Sequence, residues 1–155
     1  MSSLYESYNY DVSYRAIVNS NNVVKVFTER DYIEVNSQIS FDIEDSSKTS
    51  FNYFTSSIIS GIIHNLIFVS KKSNIKLEDI EGKIKIKLKN PLTVLAVNGY
   101  TEEAKIDSCE ITIYLFSDIE DDELVDFCKK SLNSCFIYNT LKDIMDINIK
   151  FIPIL

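Results

Sequence analysis

The feature that most constrains this chain is the run from Phe51 to Lys72, helical in period and apolar on nearly every side. Phe51, Phe54, Ile58, Ile59, Ile62, Ile63, Leu66, Ile67, Phe68 and Val69 fall around the whole circumference of a helix. A helix without a polar face must be covered all round. In a chain of 155 residues one sheet cannot surround it, so a second copy of the chain is expected to complete the cover, giving a homodimer. Within this run, the apolar stretch from Tyr53 to Val69 is interrupted by Thr55, Ser56, Ser57, Ser60, Gly61, His64 and Asn65. The interruptions leave it short of the roughly 20 mostly apolar residues of a bilayer-spanning helix, and no membrane partner is expected.

The remainder reads as strands and one more helix. Residues 12–18 and 23–28 have strand character, with Asn19–Asn22 as the hairpin turn between them. A third strand is predicted over 31–42, where Ile33, Val35, Ile39 and Phe41 share one face. The polar segment from Glu44 to Ser50 offers several N-cap side chains for the long helix. Residues 83–89 alternate lysine with Ile or Leu, which requires a strand with one dry and one wet face. A further strand covers about 105–116, with Cys109, Ile111, Ile113 and Leu115 on one side. Asn98-Gly99 marks a turn between these two strands. Asp118 to Glu123 places acidic charge where a helix dipole favours it. The second helix is predicted to run to about Asp143, with Leu124, Phe127, Leu132, Cys135, Phe136 and Leu141 buried. A last strand at 147–152 ends before Pro153. The order β-β-β-α-β-β-α-β describes an α+β domain spanning 1–155.

Composition narrows the function classes. The net charge of −7 argues against a nucleic-acid partner, because phosphate neutralisation needs a basic surface. Three cysteines and a polar N-terminus without a basic start and apolar run lead us to expect a cytoplasmic protein with reduced thiols. Phosphate-binding glycine loops, paired Cys-x-x-Cys clusters and the zinc-protease and nucleophile-elbow motifs do not occur, so neither a cofactor nor a metal is expected.

Few residue types remain that could carry chemistry. Cys135 reads either as a reactive thiol or as a buried small hydrophobe, while Cys109 sits on an apolar strand face and reads as structural. On a single helix, Cys128 and Cys135 would lie about 10.5 Å apart, beyond disulfide reach. His64, the sole histidine, reads as a satisfied core residue or as a general base in a pocket. Arg15 and Arg30 read as surface arginines, the acidic run at 118–123 as helix-start charge and the lysine strand as a solvated face.

The element order, the helix at 51–72 and the segment from Cys135 to Leu141 resemble the OsmC/Ohr superfamily of osmotically inducible and organic hydroperoxide resistance proteins. The likeness covers residues 12–152. The family's helix-opening motif corresponds to the stretch beginning Ser50-Phe51-Asn52-Tyr53, and its second cysteine segment to Cys135-Phe-Ile-Tyr-Asn-Thr-Leu141. The resemblance implies an intertwined homodimer with buried central helices. For active members it implies reduction of organic hydroperoxides by a cysteine pair assisted by an Arg and a Glu. The first cysteine falls on Ile62 here, or on Gly61 with a one-residue slip, and neither can be oxidised. The reading that follows is an OsmC-like protein that has lost the first reactive cysteine. It would keep an apolar pocket near Gly61, Ile62, His64 and Cys135 at the dimer interface, suited to a small hydrophobic ligand. The alternative is a thiol-dependent hydroperoxide reductase using Cys135.

Overall fold

The computed structural model describes residues 10–42, 44 and 48–155. The chain divides into two compact units, residues 1–54 and 55–155. In the first, β1 (Arg15–Val18), β2 (Val24–Phe27) and β3 (Tyr32–Val35) form an antiparallel meander in that order. The β1–β2 turn is built as its asparagines suggest. Asn22 adopts a left-handed conformation, and the Asn19 Oδ1 accepts hydrogen bonds from the amides of Asn21 and Val23 at 2.9 and 3.1 Å. Across the sheet, Lys25 faces Glu34 at 3.7 Å and lies 4.8 Å from the Tyr32 ring. No residue of this meander is buried.

β3 stops at Val35, seven residues before the expected limit of the strand at 42. The cause is competition for backbone partners. Asn36 donates its amide to the Lys48 carbonyl, and Ser37 and Gln38 accept from the amides of Ser50 and Phe51. The chain therefore leaves the sheet to receive the start of the long helix.

That helix, α1, spans Ser50–Lys72. Thr49 caps it: its Oγ1 accepts from the Asn52 amide at 3.1 Å, and Thr49 itself is 1% exposed. At the other end Asn74 takes a left-handed turn, and the Ile75 amide closes back on the Ser70 carbonyl at 2.9 Å. By length and composition alone α1 is long and apolar enough to cross a bilayer, more than its interrupted apolar stretch suggested. Within this chain, however, only the stripe Ile58–Ile62–Leu66–Ser70 is buried, one residue per turn.

The second unit continues with β4 (Glu78–Lys89), a short helix α2 (Pro91–Val94), β5 (Lys105–Phe116), α3 (Asp121–Ser131), α4 (Phe136–Leu141) and β6 (Asp146–Pro153). The sheet order is β4-β5-β6, with β5 antiparallel to β4 and parallel to β6. A parallel pair needs a crossover, and α3 with α4 supplies it. The dry face of β5 is the one the sequence indicated: Cys109, Ile111, Ile113 and Leu115 are at most 1% exposed. They pack with the α1 stripe, with Leu124 and Cys128 of α3, and with Leu132, Cys135 and Phe151. Each fully buried aliphatic side chain contributes about 1.5–3 kcal/mol of transfer free energy. Gly82 of β4 is a contact point with α1. A Cβ there would lie 2.8 Å from both Ile59 Cδ1 and Ile63 Cδ1, closer than carbon atoms tolerate.

The predicted second helix is in fact two. α3 ends at Ser131, a 3-10 turn covers Leu132–Ser134, and Cys135 is extended (φ −87°, ψ 99°) before α4 begins. Short polar side chains break it by bonding nearby carbonyls. Ser131 Oγ donates to Cys128 O at 2.6 Å, and Ser134 Oγ donates to Ser131 O at 3.0 Å. Two expectations change as a result. Cys128 and Cys135 are not on one helix, so the helical-rise distance between them does not apply. Phe136, expected to be buried, is turned outward and is 78% exposed.

Candidate functional site

A groove of about 410 Å³ opens along α1 beside the segment that carries Cys135 into α4. One side is the α1 face Ser57, Ser60, Gly61, His64, Asn65 and Phe68; the other is Ser134, Cys135, Phe136 and Ile137. The α1 residues recur at three- and four-residue spacing, as one helical face must. Small residues at Ser57, Ser60 and Gly61 leave the space, and Phe68 and Phe136 supply apolar walls. Gly61 sets the closest approach. A Cβ at that position would come within 2.7 Å of Ile137 Cδ1, so the absent side chain is what lets α4 pack so close to α1.

The turn that presents Cys135 is fastened to α1 by one side chain. Asn65 Nδ2 donates to the Ser131 carbonyl at 2.8 Å, and Asn65 Oδ1 accepts from Ser134 Oγ at 2.8 Å. Asn139 secures the same turn from its other end, its Nδ2 donating to the carbonyls of Leu132 and Asn133 at 3.1 and 2.9 Å. Cys135 closes the turn through its amide, which donates to Leu132 O at 3.0 Å. Its side chain lines the groove, yet the residue is only 3% exposed.

Of the residues singled out from sequence, Gly61, His64 and Cys135 line this groove together. Ile62 does not. It is 0% exposed and belongs to the core stripe with Ile58 and Leu66, because one residue along a helix turns the side chain by about 100°. His64 is exposed, so it is not a satisfied core histidine. Arg15 lies on β1 with its guanidinium 5.8 Å from the Phe27 ring, and Arg30 is exposed in the β2–β3 turn. Sequence reasoning missed Asn65 and Ser134. The helical spacing Gly61–Asn65 was a usable signal for the first. Nothing local announced the second, because its partner is 69 residues away.

Chemically, the groove offers one thiol, one imidazole and a few hydroxyls within apolar walls. All three cysteines are free. Burial pushes the Cys109 thiol above its ordinary pKa and the Cys128 thiol up to about 12, so both stay protonated and inert at neutral pH. Among the described residues no group of three or more His, Cys, Asp or Glu side chains is arranged to hold a metal ion.

Comparison with known proteins assigns the architecture. The family model described as OsmC-like protein matches residues 43–150. No curated protein matches the chain in sequence. Among solved structures, an OsmC-like protein from Mycoplasma pneumoniae superposes with a TM-score of 0.69 at 10% identity, covering 93% of this chain and 99% of that one. An organic hydroperoxide resistance protein from Elizabethkingia anophelis gives 0.62 at 16% identity over 99% and 100% of the two chains. The organic hydroperoxide resistance protein OhrB of Bacillus subtilis gives 0.57 at 11% identity over 92% and 98%. With the element order, the two three-stranded sheets and the long α1 already established, the chain belongs to the OsmC family.

Proposed function

We propose that this chain is an OsmC-family protein without the two-cysteine peroxidase mechanism, which binds a small hydrophobic ligand in the groove between α1 and the Cys135 segment. One observation carries the reading. The groove is walled mainly by apolar groups, and its α1 side presents Gly61, Ser57 and His64 where a redox pair would need a second thiol. Cys109 and Cys128 cannot substitute, since both are fully buried. We take the protein to be a cytoplasmic homodimer. The support is the apolar side chain that α1 leaves open to solvent at Phe68, 64% exposed. On this reading α1 is an interface helix and not a membrane span.

The presence of Cys135 and His64 in one groove favours a second reading, a one-cysteine reductase. The Cys135 thiolate would attack a hydroperoxide oxygen and break the O–O bond. An alcohol would leave, and Cys135 would become a sulfenic acid. Two equivalents of an external thiol would then restore Cys135, yielding water and a disulfide.

The test is turnover of cumene hydroperoxide with dithiothreitol by the purified full-length protein, alongside binding of the neutral apolar dye Nile red. The binding reading expects no turnover above the uncatalysed rate and saturable dye fluorescence, abolished by filling the groove with Gly61→Phe. Rapid turnover lost in Cys135→Ser would establish the reductase instead. Light scattering at micromolar concentration measures the dimer directly, and a monomer there would refute it.

A further inference from the structure

A second cleft, of about 590 Å³, lies beside the crossover, between the end of α3, α4 and β6. We propose that it binds an organic carboxylate with an apolar body. Its lining combines four apolar side chains, Leu132, Ile147, Ile149 and Phe151, with Lys129, Lys130 and Lys142 and neutral polar groups, without one acidic side chain. In a chain of 23 acidic and 16 basic residues, three lysines around one concavity with no carboxylate depart from the general surface.

Two features separate this cleft from ordinary solvated lysines. The first is pairing. Lys130 is engaged by Asp126 at 2.7 Å, but among the described residues Lys129 and Lys142 have no carboxylate within ion-pair distance. The Tyr138 hydroxyl, also on the cleft, has no hydrogen-bond partner among them either. The second is the state of the helix end. Lysines commonly gather at a helix C-terminus to answer its exposed carbonyls, and those carbonyls would repel an anion. Here each is already answered from within. Cys128 O accepts from Ser131 Oγ, and the carbonyls of Lys129 and Lys130 accept from the Leu132 amide. Ser131 O accepts from Asn65 and Ser134, and Leu132 O and Asn133 O accept from Asn139. With the carbonyls occupied, the Lys129 and Lys142 ammonium groups and the Tyr138 hydroxyl remain as donors for a carboxylate, while the apolar side chains of the lining receive its hydrocarbon part.

The probe is octanoate, titrated into the isotope-labelled full-length protein and followed through backbone amide signals, with octan-1-ol as the neutral counterpart. Octanoate is expected to shift the amides of 129–133, 138–142 and 147–151, and to bind less tightly as salt is raised. Exposed ammonium groups each contribute modestly, so Lys129→Gln with Lys142→Gln should weaken binding about tenfold. These are surface substitutions outside the packed core, so loss of folding does not obscure the result. The proposal is overturned if the double variant binds octanoate as tightly as the wild type, if octan-1-ol binds the same residues equally well, or if the shifts fall on 57–68 and 134–137. That last outcome would move the carboxylate to the Cys135 groove and leave the apolar-ligand reading of that groove standing.

Discussion

Adjacent positions on α1 should respond to the same substitution in opposite ways. The resemblance to the family places a reactive cysteine at Ile62 or, one residue earlier, at Gly61, and the structure points the two positions to different surroundings. Ile62→Cys replaces a fully buried side chain with one smaller by two heavy atoms. Transfer accounts for about 1.6 kcal/mol at about 0.8 per methylene, and the residual cavity brings the loss to about 2–3 kcal/mol. The new thiol would sit in the core, reachable only through opening of the unit. An opening free energy of about 4 kcal/mol makes alkylation about a thousandfold slower than for a free thiol. Gly61→Cys adds atoms toward the groove. It gains a few tenths of a kcal/mol of helix propensity over glycine. Against this, it displaces the Ile137 Cδ1 methyl, which a new Cβ would approach to 2.7 Å, at about 1 kcal/mol for an off-rotamer side chain. The net change is within about 1 kcal/mol, and the thiol should label readily. The assay is iodoacetamide labelling under native conditions, resolved by peptide mass spectrometry, with urea unfolding of both variants. If Cys at 62 labels as fast as Cys at 61, or if Gly61→Cys is the more destabilising, the assignment of faces on α1 is wrong.

Other expectations follow from the same geometry. Asn65→Ala removes the bonds to Ser131 and Ser134 and should cost about 1–3 kcal/mol in urea unfolding; a loss under 0.3 kcal/mol would show that the turn holds itself. A Cys128 thiol at about 12 in the folded chain ionises near 9 once unfolded, so the native state retains the proton longer. This thiol's contribution should therefore be level below pH 9 and fall as pH rises from 9 toward 12, by about 1.4 kcal/mol at pH 10; Cys128→Ala should make that part of the profile shallower, with the raised Cys109 thiol accounting for remaining slope. Phe136→Ser, at a residue 78% exposed within its own chain, should change the stability of an isolated chain by less than about 0.5 kcal/mol. A drop of several degrees in melting temperature that deepens on dilution would mean that a second copy covers it.

Periodicity carried the sequence reading wherever one face of an element is wet and the other dry. The alternation of Lys83–Lys89 and of Cys109–Leu115 located β4 and β5, and the Asn19–Asn22 turn was placed by its own side chains. The reading failed where a few polar atoms decide the path. Whether the backbone continues as a strand after Val35 depends on Lys48 and Ser50 arriving as partners, which no local pattern encodes. The break after Ser131 is of the same kind: Ser131 and Ser134 are tolerable in a helix, and only their bonds to nearby carbonyls and to Asn65 make them a turn. At the groove, the residue types were legible but the helix rotation was not. An all-round apolar segment has no unique inward direction, so Ile62, expected at the groove beside Gly61 and His64, lies in the core instead.

The side of α1 turned away from the groove rests against a residue outside it. Gly82 admits Ile59 and Ile63 against β4, where a Cβ would come within 2.8 Å of both Cδ1 methyls, and these two isoleucines lie roughly opposite Ser57, Gly61 and His64 around the helix. A larger residue at 82 would first have to displace these two Cδ1 methyls, at about 1 kcal/mol for each off-rotamer side chain. The helix that forms one wall of the groove is thus seated, on its other side, against a strand that does not line it, and a survey confined to the lining positions would overlook that seat.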